Sequence, residues 1–265
     1  MARIWDAFLT ERDKKVFGAA GYGREAELKG RPALIVIDVN FGFVGDRPEE
    51  ILDSILKFPN SCGADGWQAI ERLVPVLEAA REKCLPIFYT TGDQEHPFLD
   101  RHSWGVKNKR VDQWRGTSQE TQLQANKIPD LIAPKPGEVC ITKKKPSAFF
   151  GTPLSQYLIT LGVDQLLCCG TTTSGCVRGT VIDAFSFGYR VAVIEDCTFD
   201  RGQASHAINL FDMDQKYSNV VSSKRIIEYI EGLSADLFPD WAEAVSCKKT
   251  MSTQVSSIEE ARHYA

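Results

Sequence analysis

No CxxC pair, no GxGxxG and no GxxxxGKS/T occurs in these 265 residues. The first absence removes the zinc-ribbon and thioredoxin readings; the other two remove the glycine-rich phosphate cradles of nucleotide-binding sheets. Basic charge is not in excess: 31 Lys and Arg stand against 35 Asp and Glu, a net charge of -4. That leaves no surplus to hold a phosphate backbone, so nucleic acid is not the expected partner. Apolar runs stop at about six residues, far short of the ~20 that cross a bilayer, so no membrane span is expected. The opening MARIWDAFLTERDKK is charged and lacks the apolar stretch of a signal peptide. Eight cysteines are too few for a disulfide scaffold in a chain this long. The expectation is a soluble protein in a reducing, cytoplasmic setting, with Cys140, Cys168 and Cys169 as small buried hydrophobes.

What is present is ordinary globular material, 43% apolar and 25% charged. Ala33-Leu34-Ile35-Val36-Ile37 is apolar on both faces and closed by Asp38, the pattern of a buried parallel strand. The pattern recurs at 86–90, 139–142, 165–169, 190–194 and 218–221. Helix-period stretches lie between these runs, at 67–83, 152–161, 176–187, 203–214 and 224–232. Strands alternating with helices predict βαβ units, hence an α/β three-layer fold around a parallel sheet. Three parts are expected: an N-terminal arm over 1–30, a body over 31–235 and a polar tail over 236–265, where Ser257-Ile258-Glu259-Glu260 can cap a short helix. Two long irregular segments, 40–66 and 91–137, follow strand ends on the edge where such sheets bind ligands.

Three side chains fall just past predicted strand ends: Asp38, Lys143 and Cys176. Cys176 follows the small-residue turn Gly170-Thr171-Thr172-Thr173-Ser174-Gly175 and opens a predicted helix. A helix start favours anions, so a lowered thiol pKa is expected there, lowered further by a nearby lysine. A carboxylate can take the thiol proton and return it to a leaving group, and turn amides can hold an oxyanion. This set needs no metal and no cofactor.

RPALIVIDVN around Asp38, KKKPSAFFGTPL after Lys143, GTTTSGCVRGTVIDAFSFGYRVAVIEDCTFDR through Arg201, and INLFDMDQKYSNV together resemble the isochorismatase-like family of cysteine hydrolases, and within it the carbamoylsarcosine-type amidases. The resemblance spans roughly 30–232. It implies a Rossmann-like fold with a six-stranded parallel sheet, and a catalytic triad of Asp38 as general base and acid, Lys143, and Cys176 as nucleophile. The spacing to Ser147 in the family motif selects Lys143 over its neighbours Lys144 and Lys145. The family also has a cis peptide, here between Thr171 and Thr172, and an oxyanion hole from the amides of Thr172 and Cys176. Arg201 falls in register with an arginine that holds a substrate carboxylate; Asn40 and Thr171 are further candidates for the substrate pocket. For Arg201 an ion pair with Asp196 or Asp200 is the structural alternative.

The activity implied is hydrolysis of a C–N bond in a small carbamoyl or amide compound through a thioester-type intermediate. Alternatives are vinyl-ether hydrolysis of the isochorismatase kind, a nicotinamidase-type reaction, and a catalytically silent binding or scaffold protein. Asp93, His96 and His102 are the candidates for the metal of the nicotinamidase branch, but their spacing does not match its Asp-x-His arrangement, so no metal is expected. The resemblance further implies a homo-oligomer, dimer or tetramer, with the arm and the tail as plausible contacts.

Overall fold

The computed structural model describes residues 3–92 and 106–245. The N-terminal arm holds a helix, α1 (Glu11–Ala20), started by a reciprocal capping box between Thr10 and Asp13. The body runs β1 (Pro32–Ile37), α2 (Phe41–Val44), α3 (Ile51–Lys57), α4 (Ala64–Glu82), β2 (Ile87–Thr91), α5 (Arg110–Arg115), α6 (Gln119–Ala125) and β3 (Val139–Thr142). It continues with α7 (Leu154–Leu161), β4 (Gln165–Thr171), α8 (Arg178–Ser186), β5 (Arg190–Phe199), α9 (Gln203–Lys216), β6 (Asn219–Val221) and α10 (Ser223–Glu231). All strand pairs are parallel, in the order β3-β2-β1-β4-β5-β6. This is the parallel α/β sheet that the strand-helix alternation predicts, with the six strands that the family resemblance implies.

The physical cause is legible in β1, where every residue is buried. Both faces are covered by helices: α4 and α10 pack on one another and on β5, while α8 packs on β5 and α9 on β6. The arm closes the β6 edge. Asn219 exchanges two hydrogen bonds with the Ala26 backbone, at 3.0 and 2.6 Å, and Arg3 donates to the Val220 carbonyl at 2.7 Å. Trp5 is buried, its ring 6.0 Å from that of Phe211. A covered edge cannot recruit a foreign strand.

The structure corrects three expectations. The segment 40–66 is largely helical, carrying α2, α3 and the start of α4, and the described part of 91–137 holds α5 and α6. Cys140 is exposed rather than buried, because β3 is an edge strand, whereas Cys168 and Cys169 are fully buried in central β4. No helix among the described residues is long and apolar enough to cross a membrane. Asp93, His96, His102 and the Ser257–Glu260 stretch lie outside the described residues.

The chain reverses its direction of travel across the sheet between β1 and β4. At that switch point the strand ends leave a crevice. Gly170 makes the close approach possible: its φ is +107°, and a Cβ there would sit 2.1 Å from the Ile37 carbonyl oxygen.

Candidate active site

Asp38, directly after β1, adopts φ +53°, a left-handed conformation that Asp tolerates better than most residues. Its carboxylate is almost out of solvent and held at both oxygens. Lys143 Nζ lies 2.7 Å from Oδ2, with both side chains 5% exposed. Thr90, at the end of β2, donates its hydroxyl to Oδ1 at 2.8 Å. Lys143 follows β3 and also donates to the Lys145 carbonyl at 3.0 Å. Of the three consecutive lysines it is the one turned inward; Lys144 is exposed.

Cys176 comes from the other side of the crevice. After β4 the Thr171–Thr172 peptide is cis, and Thr173–Val177 forms one wide π-type turn before α8 begins at Arg178. The Gly175 and Val177 amides both donate to the Thr172 carbonyl, at 2.9 and 3.2 Å. A Cβ on Gly175 would meet the Thr172 hydroxyl at 2.6 Å, so a side chain there would have to displace that hydroxyl. The Cys176 thiol lies close enough to Asp38 and Lys143 for both charges to act on it. The structure therefore brings Asp38, Lys143 and Cys176 into one contact group.

The electrostatics differ from the sequence expectation. The Cys176 thiol is pushed up to about 12, not lowered. Burial is the main cause, the Asp38 carboxylate adds to it, and the Lys143 ammonium pulls the other way without prevailing. For Lys143, burial works downward, but Asp38 and Cys176 outweigh it and hold the ammonium above its ordinary value. The resting group is thus a protonated thiol near a carboxylate that is paired with a charged lysine.

The remaining candidates are placed as follows. Thr171 is fully buried, its hydroxyl 3.8 Å from Cys62 Sγ. Asn40 is buried, and its amide nitrogen donates to the Thr91 hydroxyl at 3.1 Å, which anchors the loop after Asp38 to the end of β2. The Arg201 guanidinium donates to the Asn60 carbonyl at 2.7 Å and lies close enough to Cys62 to influence its charge. The carboxylates of the alternative ion pair bind other groups: Asp196 holds Ser223, and Asp200 binds Ser174 and the Arg201 backbone amide. Arg201 thus sits on the Thr171 side of the crevice, supported by the α3–α4 connection.

Several neighbours escaped the sequence reading. Thr90 orients Asp38. Thr180 donates to the Cys176 carbonyl at 2.7 Å and accepts from the Ala148 amide at 3.0 Å, tying the turn that carries Cys176 to the loop after Lys143. His206 and Asp200 grip Thr173 and Ser174. The available signal was positional: each strand's C-terminal end opens on the same rim. Two pockets of about 290 and 300 Å³ lie between the arm and the β6 side of the sheet, the first beside Tyr22 and Tyr189 and the second beside Trp5 and Arg225. No cluster of metal-ligating side chains is present among the described residues.

The family profile described as "Isochorismatase domain" matches residues 32–225. Over 257 residues the chain is 30% identical to an N-carbamoylsarcosine amidase from an Arthrobacter species, covering 94% of this chain and 87% of the relative. It is 29% identical over 218 residues to a maleamate amidohydrolase from Pseudomonas putida, covering 81% of this chain and 91% of that protein. The solved structure of an N-carbamoylsarcosine amidase from Thermoplasma acidophilum shares the fold, with a TM-score of 0.56 and 23% identity, covering 73% of this chain and 97% of that one. With the profile spanning most of the body and a 30% identical relative covering 94% of the chain, the chain belongs to the isochorismatase family.

Proposed function

We propose that this protein is a cysteine amidohydrolase that cleaves the C–N bond of a small carbamoyl or amide compound bearing a carboxylate. The observation that carries the reading is the grouping itself: a thiol within electrostatic reach of a buried carboxylate and a buried ammonium that are 2.7 Å apart. N-carbamoylsarcosine and maleamate, which appear in the names of two relatives, are both small amides with a carboxylate.

In the first step Cys176 Sγ bonds to the substrate carbonyl carbon as its proton passes to Asp38, so no free thiolate accumulates. The carbonyl π electrons move to oxygen, which the Thr172 and Cys176 amides receive. Lys143 keeps Asp38 and the sulfur in place and offsets their negative charge. The tetrahedral adduct collapses: the C–N bond breaks and Asp38 returns the proton to the leaving nitrogen. Water then adds to the thioacyl carbon, giving a proton to Asp38, and collapse expels the sulfur, which takes that proton back. Arg201 meets the substrate carboxylate, for which its planar guanidinium is suited. The chemistry is complete with these side chains and water. The test is an ammonia-release screen over ureido acids, maleamate, nicotinamide and biuret with the native protein and Cys176→Ala. Release from a carboxylate-bearing substrate that vanishes in the folded variant supports the reading; equal release by the variant overturns it.

A further inference from the structure

The nucleophile turn is gripped from outside by one short stretch of chain. Asp200 follows β5, and His206 lies in the first turn of α9. Asp200 Oδ2 accepts hydrogen bonds from the Ser174 amide at 2.8 Å and the Ser174 hydroxyl at 2.6 Å. His206 Nδ1 stands 2.7 Å from the Thr173 hydroxyl, a bond across 33 positions of sequence. Thr173 has no solvent exposure. A buried hydroxyl needs a partner, and the imidazole is the partner it has. Either ring tautomer serves, since a hydroxyl both donates and accepts.

Both grips fall between Thr172 and Cys176, whose amides are the proposed oxyanion donors. The turn is short and closes on a single carbonyl, that of Thr172. Outside contacts from Asp200 and His206 add three hydrogen bonds to the two amide bonds the turn makes to that carbonyl. Burial lowers the His206 pKa, while Asp200 and Asp65 act to raise it and do not prevail. The ring is therefore neutral near pH 7, places no cation beside the turn and does not compete with Lys143 for the thiol. A displacement of about 1 Å in such donors costs about 10²-fold in rate.

We propose that His206 is a positioning residue: through the Thr173 hydroxyl it fixes the turn so that the Thr172 and Cys176 amides meet the developing oxyanion. It touches neither the substrate nor the sulfur. The inference rests on the amidohydrolase reading of the site.

The test compares His206→Phe, which keeps a ring and loses the nitrogens, with His206→Asn, which restores a polar atom near the Nδ1 position, and with Thr173→Val, which removes the other end of the bond. Each variant is followed by kcat and KM for ammonia release, by thermal midpoint, and by the rate at which iodoacetamide alkylates Cys176, which needs no oxyanion hole. His206→Phe is expected to lower kcat about 10- to 100-fold with KM and alkylation rate within about twofold of native. His206→Asn recovers most of kcat, Thr173→Val reproduces the loss, and the double variant is no worse than either single one. A His206→Phe enzyme at native kcat, a change confined to KM, or an Asn variant no better than Phe overturns this proposal while the hydrolase reading stands. Should His206→Phe not fold, Thr173→Val carries the same outcomes. Native protein that releases no ammonia from any compound of the screen overturns the hydrolase reading and this inference with it.

Discussion

Replacing Asp38 with Asn should make Cys176 more acidic and yet stop the enzyme. The native thiol is raised from an ordinary value of 9.0 to about 12. The thiolate fraction at neutral pH is then lower by about a thousandfold, equivalent to about 4 kcal/mol. Burial is the larger cause and survives the substitution; the negative charge of Asp38 does not. Two unit charges ~4 Å apart at an effective dielectric constant of ~20 interact by about 4 kcal/mol. Relief of that repulsion lowers the thiol pKa by as much as about three units and leaves Lys143 to pair with the thiolate. The assay is the pH profile of Cys176 alkylation by iodoacetamide, read on the peptide that contains it. In the native protein the thiol is protonated throughout the neutral range, so the rate should climb about tenfold per pH unit with no plateau. In Asp38→Asn the profile moves to lower pH and alkylation at neutral pH becomes faster, while ammonia release falls by at least about 10²-fold because no group accepts or returns the proton. An unchanged profile, or one displaced upward, refutes the claim that Asp38 holds the proton on sulfur. Full turnover in the variant refutes its role as base.

Lys143→Met removes one partner of a buried ion pair and leaves the Asp38 carboxylate uncompensated. Stability should fall by roughly 3–5 kcal/mol in denaturant unfolding, and a loss under about 1 kcal/mol contradicts the buried-pair assignment. Arg201→Ala should raise KM for a carboxylate-bearing substrate by about 30-fold or more, the equivalent of at least ~2 kcal/mol, with little effect on a neutral amide. An equal effect on both substrates points instead to the Arg201–Asn60 contact as purely structural.

Much of the fold is written in single segments. The Ala33–Ile37 run is apolar on both faces because β1 is central, with β2 and β4 as neighbours. The same reasoning fails for Cys140, since whether a strand is central or at the edge depends on sheet order, which no single run records. The helices α2 and α3 were hidden in the 40–66 segment because each is too short to show a period. Helix α1 was hidden by Gly18 within it and the glycines that follow it, although its Thr10–Asp13 cap is in plain view. The grouping of Asp38, Lys143 and Cys176 was legible because parallel strands put their ends on one rim. The protonation of Cys176 was not: the helix start beside it argues for an anion, but the depth of the sulfur and its carboxylate neighbour are tertiary facts, and they outweigh it. His206 is 33 positions from Thr173 in the chain, yet the same rim rule brings the β5–α9 connection to the turn.

The most direct test of the account is a rapid quench of the native protein during turnover, followed by mass spectrometry of the Cys176 peptide. The account predicts an added mass equal to the acyl or carbamoyl part of the substrate on Cys176, appearing and decaying within turnover and absent in Cys176→Ala. Continued turnover by Cys176→Ala, with no adduct on the native peptide at any quench time, would contradict it.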